Sequence, residues 1–319
     1  MGFLDVMNIL IPNLMFYSAP LIFAALGGVF SERSGVVNIG LEGQMIVGAF
    51  VAIVFNLSYA DSLGGSTPWI ALLVAMFVGG VFSLLHAVAT VSFRAEQIVS
   101  GLAINMLALG GSLYFVKKLY GAGQTPNIQQ MFPKSSIPGL EKIPLIGEAL
   151  FKNFYWTSWL AIVMAFVVWV VIYKTSFGLR LRAVGEHPMA ADTMGVSVSL
   201  MRYLGVVLSG VFASLGGAVY SQTIVSEFTH STISGQGFIA LAALIFGKWH
   251  PLGATAAALF FGMAQSLSII GTMLPVVKDI PQVYLLIFPY VLTILALAGF
   301  VGKADAPAAA GIPYVKGKR

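Results

Sequence analysis

Long uncharged apolar runs, separated by shorter polar segments, dominate this sequence. The run Tyr155–Tyr173, for example, contains no charged residue. An uncharged stretch of about 20 residues is long enough to cross a hydrocarbon core of about 30 Å as an α-helix. The pattern therefore predicts an all-α fold, a polytopic bundle of transmembrane helices.

Nine such spans are predicted along the chain. They cover roughly residues 8–30, 37–57, 68–91, 97–115, 154–173, 203–224, 230–247, 252–271 and 281–301. An odd number of spans places the two termini on opposite sides of the membrane.

Two of these spans depart from a plain helical pattern. Residues 34–44 carry three glycines, an Asn, a Gln and a carboxylate at the start of the second span. Residues 237–247 would cover only about 16 Å as a helix, so residues 230–236 are expected to complete that crossing in non-helical form. Paired interrupted segments in the two halves of a transporter indicate its translocation pathway.

Composition and charge support a membrane protein and suggest its orientation. Apolar residues make up 58% of the chain and charged residues only 9%, whereas soluble domains carry roughly 25% charged residues. With the C-terminus inside, 11 of the 17 Lys and Arg are cytoplasmic and 6 are external. Basic residues concentrate on the cytoplasmic side, so N-out/C-in is predicted. The net positive charge follows from these loops and does not indicate nucleic-acid binding.

Two long loops are candidates for function. The outer loop, residues 116–153, carries four prolines and is either a lid, a docking surface for an external partner, or a plain connector. The inner loop, residues 174–202, contains Pro188 and Gly195 at the spacing expected for the start and end of a short helix. A helix of two turns is marginal in water, so it needs a soluble partner or the protein's own span ends to pack on.

Several chemistries are excluded or unsupported. The chain has no cysteine, and its four histidines show no metal-ligand spacing. It also lacks the Gly-x-x-x-x-Gly-Lys-Ser/Thr loop that binds nucleotide phosphates. We therefore predict no catalytic residue, no metal site and no cofactor bound by this chain, which is not expected to be an enzyme.

Three stretches resemble a known family. Residues 178–195, with Ala-Val-Gly-Glu-His-Pro-Met-Ala-Ala-Asp-Thr-Met-Gly, resemble the cytoplasmic coupling motif of ABC importer permeases, specifically the branched-chain amino acid and monosaccharide permease superfamily. Residues 34–44 and 235–251 are similar to the nucleoside-uptake permeases of that superfamily. The resemblance covers about residues 10–300. Other members often begin with an additional span, for which this chain has too little sequence at its N-terminus.

The resemblance implies a heteromeric complex in the bacterial cytoplasmic membrane. Its members pair with a second homologous permease and with a cytoplasmic ATPase of two nucleotide-binding cassettes, where ATP and Mg would bind. A nucleoside-binding lipoprotein would deliver substrate from outside. On this basis residues 1–302 form the transmembrane permease domain and residues 303–319 a cytoplasmic tail. The residues expected to couple to the ATPase are Glu186, His187, Pro188, Ala190, Ala191, Asp192 and Gly195.

Polar residues in and beside the interrupted spans are the candidates for the substrate pathway. A carboxylate inside a span is costly and usually faces a cavity or a partner, so Glu42 could bind substrate or anchor the broken helix. The alternative is that it pairs with Arg33 or meets water near the cytoplasmic end. Amides suit a neutral polar substrate and an aromatic ring suits a nucleobase, although both also serve packing. The candidates are Asn38, Glu42, Gln44, Gln222, Gln236 and Phe238.

Other functions stay open at this point. The permease could carry a sugar or a branched-chain amino acid instead of a nucleoside. An ion-coupled secondary transporter would also have broken helices, with Glu42 as its proton site, but it would leave the helix at 187–195 unexplained. A membrane enzyme or a channel is less well supported because no reaction centre and no filter motif is present. Asn105 and Gln265 are predicted to bond neighbouring helices together.

Overall fold

The computed structural model describes residues 3–143, 147–270 and 306–317, together with isolated positions at 280–281, 283–284, 287–288, 291 and 294. Within these ranges the regular elements are helices, and the single strand-like pairing is a bridge between Ser135 and Phe154. This confirms the predicted all-α fold.

Eleven α-helices are resolved within the described ranges. They are α1 (Phe3–Arg33), α2 (Leu41–Leu63), α3 (Thr67–Ala87), α4 (Gln97–Tyr120), α5 (Gly147–Phe151), α6 (Trp156–Lys174), α7 (Ser176–Glu186), α8 (Pro188–Thr193), α9 (Val198–Tyr220), α10 (Gln236–Phe246) and α11 (Pro251–Ile270). Helices α3 and α9 each continue into one wider, π-helical turn, at Val88–Ser92 and Ser221–Val225.

Six helical stretches of the described chain are long and apolar enough to cross a membrane. The longest, Leu41–Ser92, contains 52 residues and consists of α2 and α3, which turn at Gly64 and pack against each other. Eight of the nine predicted spans coincide with a long helix or with the short helix α10. The ninth, residues 281–301, lies outside the described residues apart from isolated positions.

Helix α9 is the centre of the bundle because it packs along α1, α2 and α3. Glycines permit this close approach: a Cβ at Gly48 would overlap the backbone of Ser214, and a Cβ at Gly217 would overlap the backbone of Met45. The Ser214 hydroxyl donates to the carbonyl of Gln44 at 2.8 Å. Small residues and interhelical hydrogen bonds are the main means of association in lipid, where no hydrophobic force draws helices together.

The segment between α1 and α2 enters the bundle without helical structure. Ser34 packs on Gly205, Asn38 donates to the Ser209 hydroxyl at 2.8 Å, and α2 begins only at Leu41. Residues 36–38 have no regular structure, and turns precede them at 34–35 and follow them at 39–40. Protein covers this backbone on several sides, as non-helical structure at membrane depth requires. The predicted irregularity at residues 34–44 is confirmed for 34–40.

The second predicted irregularity precedes α10. Residues 226–235 are non-helical, and α10 has only 11 residues, so it is the half-length helix that the sequence predicted. The outer loop covers this backbone: the Thr125 amide donates to the Phe228 carbonyl at 3.0 Å, and the Ile128 amide to the Ser226 carbonyl at 2.8 Å.

The structure shifts the boundaries of both predicted loops. Helix α4 continues to Tyr120, so the outer loop begins later than residue 116, and it contains α5. The inner loop is largely helical, with α7, α8 and the first turn of α9 inside residues 174–202. The resulting helix α8 starts at Pro188, and Gly195 follows it at φ +81°, which confirms the short helix predicted from these two residues.

Candidate functional site

The two interrupted segments meet at Glu42. This residue lies in the first turn of α2 with only 7% of its surface exposed. One carboxylate oxygen accepts a hydrogen bond from the Gly235 amide and the other from the Gly237 amide, both at 2.6 Å. The carboxylate therefore holds the N-terminus of α10 against the start of α2.

This contact has a clear physical basis. The first amides of a helix have no partner within the helix, and the helix dipole places partial positive charge there. A buried carboxylate accepts hydrogen bonds from these amides and supplies the negative charge that the dipole favours. A Cβ at Gly237 would lie 2.9 Å from a Glu42 carboxylate oxygen, so only glycine permits this approach. The alternative of a pairing between Glu42 and Arg33 is not what the structure shows, since Arg33 lies 3.6 Å from the Glu186 carboxylate.

Asn38 and Gln44 are buried and joined to each other. The Asn38 amide donates to the Gln44 side-chain oxygen at 3.1 Å and to the Ser209 hydroxyl at 2.8 Å. Its own oxygen accepts from the Gly40 amide at 3.0 Å. These bonds fix the non-helical residues 34–40, which we call the entry segment, against α9.

The other three candidates lie in two places. Gln222 is fully buried, accepts from Asn56 at 2.7 Å and donates to the Ala52 carbonyl at 3.1 Å, so it joins α9 to α2. Gln236 accepts from Gln265 of α11 at 3.1 Å. Phe238 is 45% exposed, so its ring is open to a neighbour. The structure thus separates four buried candidates from the half-buried Gln236 and the exposed Phe238.

The two amides predicted to bond helices together do so. Asn105 of α4 donates to the Ile39 carbonyl at 3.0 Å, and its oxygen accepts from the Gly43 amide at 2.7 Å. It therefore fixes α4 to the entry segment. Gln265 makes the bond to Gln236 described above.

Sequence reasoning missed two buried charges near the end of α1. Glu32 is 5% exposed and accepts a hydrogen bond from the Trp249 indole nitrogen. Arg202 of α9 is 1% exposed and donates to the Ile312 carbonyl at 2.9 Å. Both lie beside predicted span ends, where charges are expected to reach water, and only their distant partners explain their burial. Among the described residues no three His, Asp or Glu side chains group as a metal site would need.

A polar cleft lies beside the N-terminal part of α1, next to the outer loop. It has a volume of about 330 Å³, and its lining includes Asn8, Asn13, Phe16, Lys134 and Tyr155. The Phe16 and Tyr155 rings stack with centroids 4.8 Å apart.

A hydrogen-bonded ion pair extends this cleft on the side of α5. The Lys152 ammonium donates to the Glu148 carboxylate at 2.8 Å, which raises the pKa of this lysine. The cleft therefore presents both charges and aromatic surface on the side of the outer loop.

With this geometry established, comparison with known families identifies the chain. A family model described as the permease component of branched-chain amino acid transport systems matches residues 10–297. The chain belongs to this permease family. The permease is therefore a multi-pass protein of the bacterial membrane and a transport subunit, not itself an enzyme.

Two curated relatives match the permease over their full length, and a third matches over most of it. The guanosine ABC transporter permease protein NupQ of Bacillus subtilis (strain 168) is 62% identical over 319 residues, covering 100% of both chains. The nucleoside ABC transporter permease protein NupC of Lactococcus lactis subsp. cremoris (strain MG1363) is 48% identical over 318 residues, again 100% of both. A second Bacillus subtilis protein, the guanosine ABC transporter permease protein NupP, is 26% identical over 266 residues, 82% of this permease and 74% of NupP.

The segment that resembles a coupling motif lies at the opposite end of the permease from the outer loop. Helix α8 packs through Ala191 against Val184 of α7 and against Val198 and Met201 of α9. Its opposite side exposes Met189 and, just beyond the helix, Met194, which is 83% exposed. The coupling candidates thus lie in or beside a short helix. One side of this helix packs on α7 and α9, and the opposite side exposes apolar side chains.

Residues 306–317 clasp this segment. The Ala309 amide donates to the Gly185 carbonyl at 2.9 Å, and the Ala308 amide donates to the Glu186 carboxylate at 3.2 Å. Further along, Lys316 lies 3.9 Å from the Asp192 carboxylate. Residues 306–317 therefore contact the end of α7, just before α8, and the last turn of α8 itself, a feature that the sequence did not reveal.

Proposed function

We propose that this permease is one transmembrane subunit of an ATP-driven ABC importer for nucleosides. The observation that carries the proposal is full-length identity of 62% to a guanosine permease and 48% to a nucleoside permease. Nothing in the interrupted segments opposes it, because amides and an aromatic ring are the groups that bind a neutral nucleoside.

The proposed pathway runs along the open side of α10. Gln236 and Phe238 would contact substrate directly, with Gln265 beside them. A base can stack on a phenyl ring and hydrogen-bond to amides. The buried candidates would not contact substrate but would fix the helices that form this surface. They hold α10, the entry segment and α9 in place through Glu42, Asn38, Gln44 and Gln222.

The proposed topology is nine spans with the N-terminus outside and the C-terminus inside. In its support, Arg33, Arg202, Lys248 and Lys316 all lie at the end of the bundle that carries α7 and α8. Lys134 and Lys152 lie at the other end, with the outer loop. Basic residues prefer the cytoplasmic side, so α8 would face the cytoplasm.

The proposed complex has three partners. A second permease is supported by the two related guanosine permeases of Bacillus subtilis, NupQ and NupP. A two-cassette ATPase, which holds ATP and Mg, would bind the exposed side of α8, since this chain has no phosphate-binding loop of its own. An external lipoprotein would deliver nucleoside to the outer loop.

In the proposed mechanism, ATP binding and substrate binding favour different arrangements of one assembly. A ligand shifts such an equilibrium only as far as its affinities for the two states differ. Movement of the ATPase at α8 would turn the two permeases about the pathway, and the substrate would pass beside the N-terminus of α10.

Purification of the tagged permease from its native membrane tests this function. We expect a second permease, a two-cassette ATPase and a lipoprotein to copurify, and we expect the reconstituted complex to take up radiolabelled guanosine only when ATP is supplied. Recovery of a homo-oligomer that transports without ATP would overturn the proposal in favour of a secondary transporter.

Substitution at Gly195 tests the coupling role of α8. Gly195 has φ +81°, and no described atom lies within 4 Å of the place its Cβ would take. Valine would therefore not clash but would strain the backbone by about 1–2 kcal/mol, which moves the end of α8. We expect Gly195→Val to lower uptake at least severalfold while ATP hydrolysis and membrane insertion persist.

Gly121 supplies the matched control for this test. It ends α4 at φ +71° and is equally open, but it lies at the outer end of the bundle. Gly121→Val should cost similar stability and leave uptake per ATP hydrolysed unchanged. An equal loss of coupling in both variants would contradict the assignment.

A further inference from the structure

The short turn between α10 and α11 is held in a strained conformation. Lys248 and Trp249 both have positive φ, +53° and +54°, a region that bulky side chains seldom adopt. Such residues persist only where the surroundings fix them, and they concentrate at switch regions. Backbone hydrogen bonds of the turn provide part of the support for this conformation: the Trp249 amide donates to the Leu244 carbonyl at 3.1 Å.

The end of α1 supplies the remaining support. The Arg33 guanidinium donates to the Trp249 carbonyl at 2.9 Å and to the Lys248 carbonyl at 3.3 Å. The neighbouring Glu32 carboxylate accepts from the Trp249 indole nitrogen. We call Glu32, Arg33, Lys248 and Trp249 the turn anchor. Two adjacent charged residues of α1 thus bind both the backbone and the side chain of one strained turn.

The turn anchor is also attached to the segment that carries α8. Glu186 is the last residue of α7, and only His187 separates it from the start of α8. One Glu186 oxygen lies 3.6 Å from the Arg33 guanidinium. A Cβ at Gly185 would overlap the Arg33 carbonyl, so the backbones of α7 and α1 touch at this point.

The other end of α10 is bound as well. Its first amides bond to Glu42, and its last turn leads into Lys248 and Trp249. Helix α10 has 11 residues, about 16 Å at about 1.5 Å per residue. It is short enough to move as one rigid body between these two attachments. A displacement of the turn at one end must therefore alter the contact with Glu42 at the other.

We propose that the turn anchor is the mechanical link between α8 and α10, so that Glu32, Arg33 and Trp249 are positioning residues for transport. Displacement of α8 by a cytoplasmic partner would move Glu186 and, through it, Arg33. The hydrogen bonds from Arg33 to the strained turn would then break or re-form, and α10 would shift. The proposal rests on the proposed function, since it assumes a partner that moves α8.

Removal of one hydrogen bond tests the link. Trp249→Phe keeps an aromatic ring but removes the indole N–H that Glu32 accepts. Mutations along a coupling path alter coupling by roughly 2- to 30-fold, so we expect uptake to fall about tenfold while the ATPase activity of the complex stays within a factor of about two. Trp159→Phe is the matched control, because the Trp159 indole nitrogen has no hydrogen-bond partner in the described part of the chain.

Two substitutions at Glu32 distinguish the effect of its hydrogen bond to Trp249 from the effect of its side-chain volume. Glu32→Gln retains a side-chain oxygen that can accept the indole N–H, whereas Glu32→Leu retains similar volume without an acceptor. We expect the glutamine variant to keep most of its uptake and the leucine variant to behave like Trp249→Phe. Equal loss in both would show that charge or folding, not the hydrogen bond to the turn, is what matters.

A direct readout of α10 completes the experiment. The chain contains no cysteine, so Ser234→Cys, at an exposed position before α10, gives one thiol on this chain. Its labelling rate by a membrane-impermeant maleimide is measured in the whole complex, with and without ATP plus vanadate. We expect the nucleotide to change the rate in the parent and in the Trp159→Phe variant, but not in Trp249→Phe.

The two failures can be told apart. A nucleotide-dependent labelling rate that survives Trp249→Phe overturns the mechanical link whatever the substrate proves to be. A complex that shows the expected labelling pattern but takes up no guanosine overturns the proposed substrate and leaves the link supported.

Discussion

Replacing Gly48 by leucine is expected to remove most of the folded permease from the membrane. Helices α2 and α9 cross with their backbones in contact, and even the Cβ of a larger residue at position 48 would overlap the backbone of Ser214. A flexible neighbour can move aside, whereas a backbone in the centre of the bundle cannot. Overpacking costs about 1–3 kcal/mol when side chains can adjust, and here the main chain itself must move.

Gly110 provides the control for this substitution. It lies within α4, and no described atom comes within 4 Å of where its Cβ would be. Gly110→Leu should therefore give a protein with normal yield and a single peak on size-exclusion chromatography in detergent, whereas Gly48→Leu should aggregate or be degraded. A well-behaved Gly48→Leu protein with an unchanged thermal midpoint would contradict the close contact of α2 and α9.

Replacing Glu42 by glutamine is expected to lower uptake roughly 10- to 100-fold, because hydrogen bonds to a charged group contribute about 1.5–3 kcal/mol each. Glutamine has one acceptor and one donor at the end of its side chain. Only one of the Gly235 and Gly237 amides could then be satisfied, and the other would face an N–H₂ group. The N-terminus of α10 should separate from α2, and the effect is measured as ATP-driven uptake by the reconstituted complex.

Glu96 offers the same chemistry in a different setting. Its two oxygens accept from the Ile98 and Val99 amides at the start of α4, at 3.0 and 2.6 Å, but it is exposed. Water can replace those bonds, so Glu96→Gln should leave uptake close to that of the parent. A comparable loss at both positions would argue against a special role for burial at Glu42. Uptake that depends on a proton gradient at constant ATP would instead assign Glu42 a proton-carrying role.

Local patterns in the sequence were sufficient to predict the short elements. The apolar stretch after Gly235 is too short to cross a membrane, and it forms α10. The asymmetry of Pro188 and Gly195 predicted α8, because proline fits the first turn of a helix and glycine adopts the positive φ that follows its end. In both cases the information lies within about a dozen adjacent residues, which is where sequence reasoning is strongest.

Long-range pairings could not be predicted in the same way. Glu42 and Gly237 are 195 positions apart, and nothing in either segment specifies the other. Composition marks both interrupted segments, yet it leaves Arg33 open as a partner of the Glu42 carboxylate that joins them. The same limit applies to Glu32, whose burial follows from the indole of Trp249, 217 positions away.

The clasp formed by residues 306–317 has a consequence for biosynthesis. These residues follow all the described helices in the chain, yet they complete the surface around Gly185, Glu186 and Asp192. The bundle can therefore insert into the membrane before the surface around α8 is finished. A partner that binds α8 would then have to wait until residues 306–317 are made, which orders insertion before assembly without any additional factor.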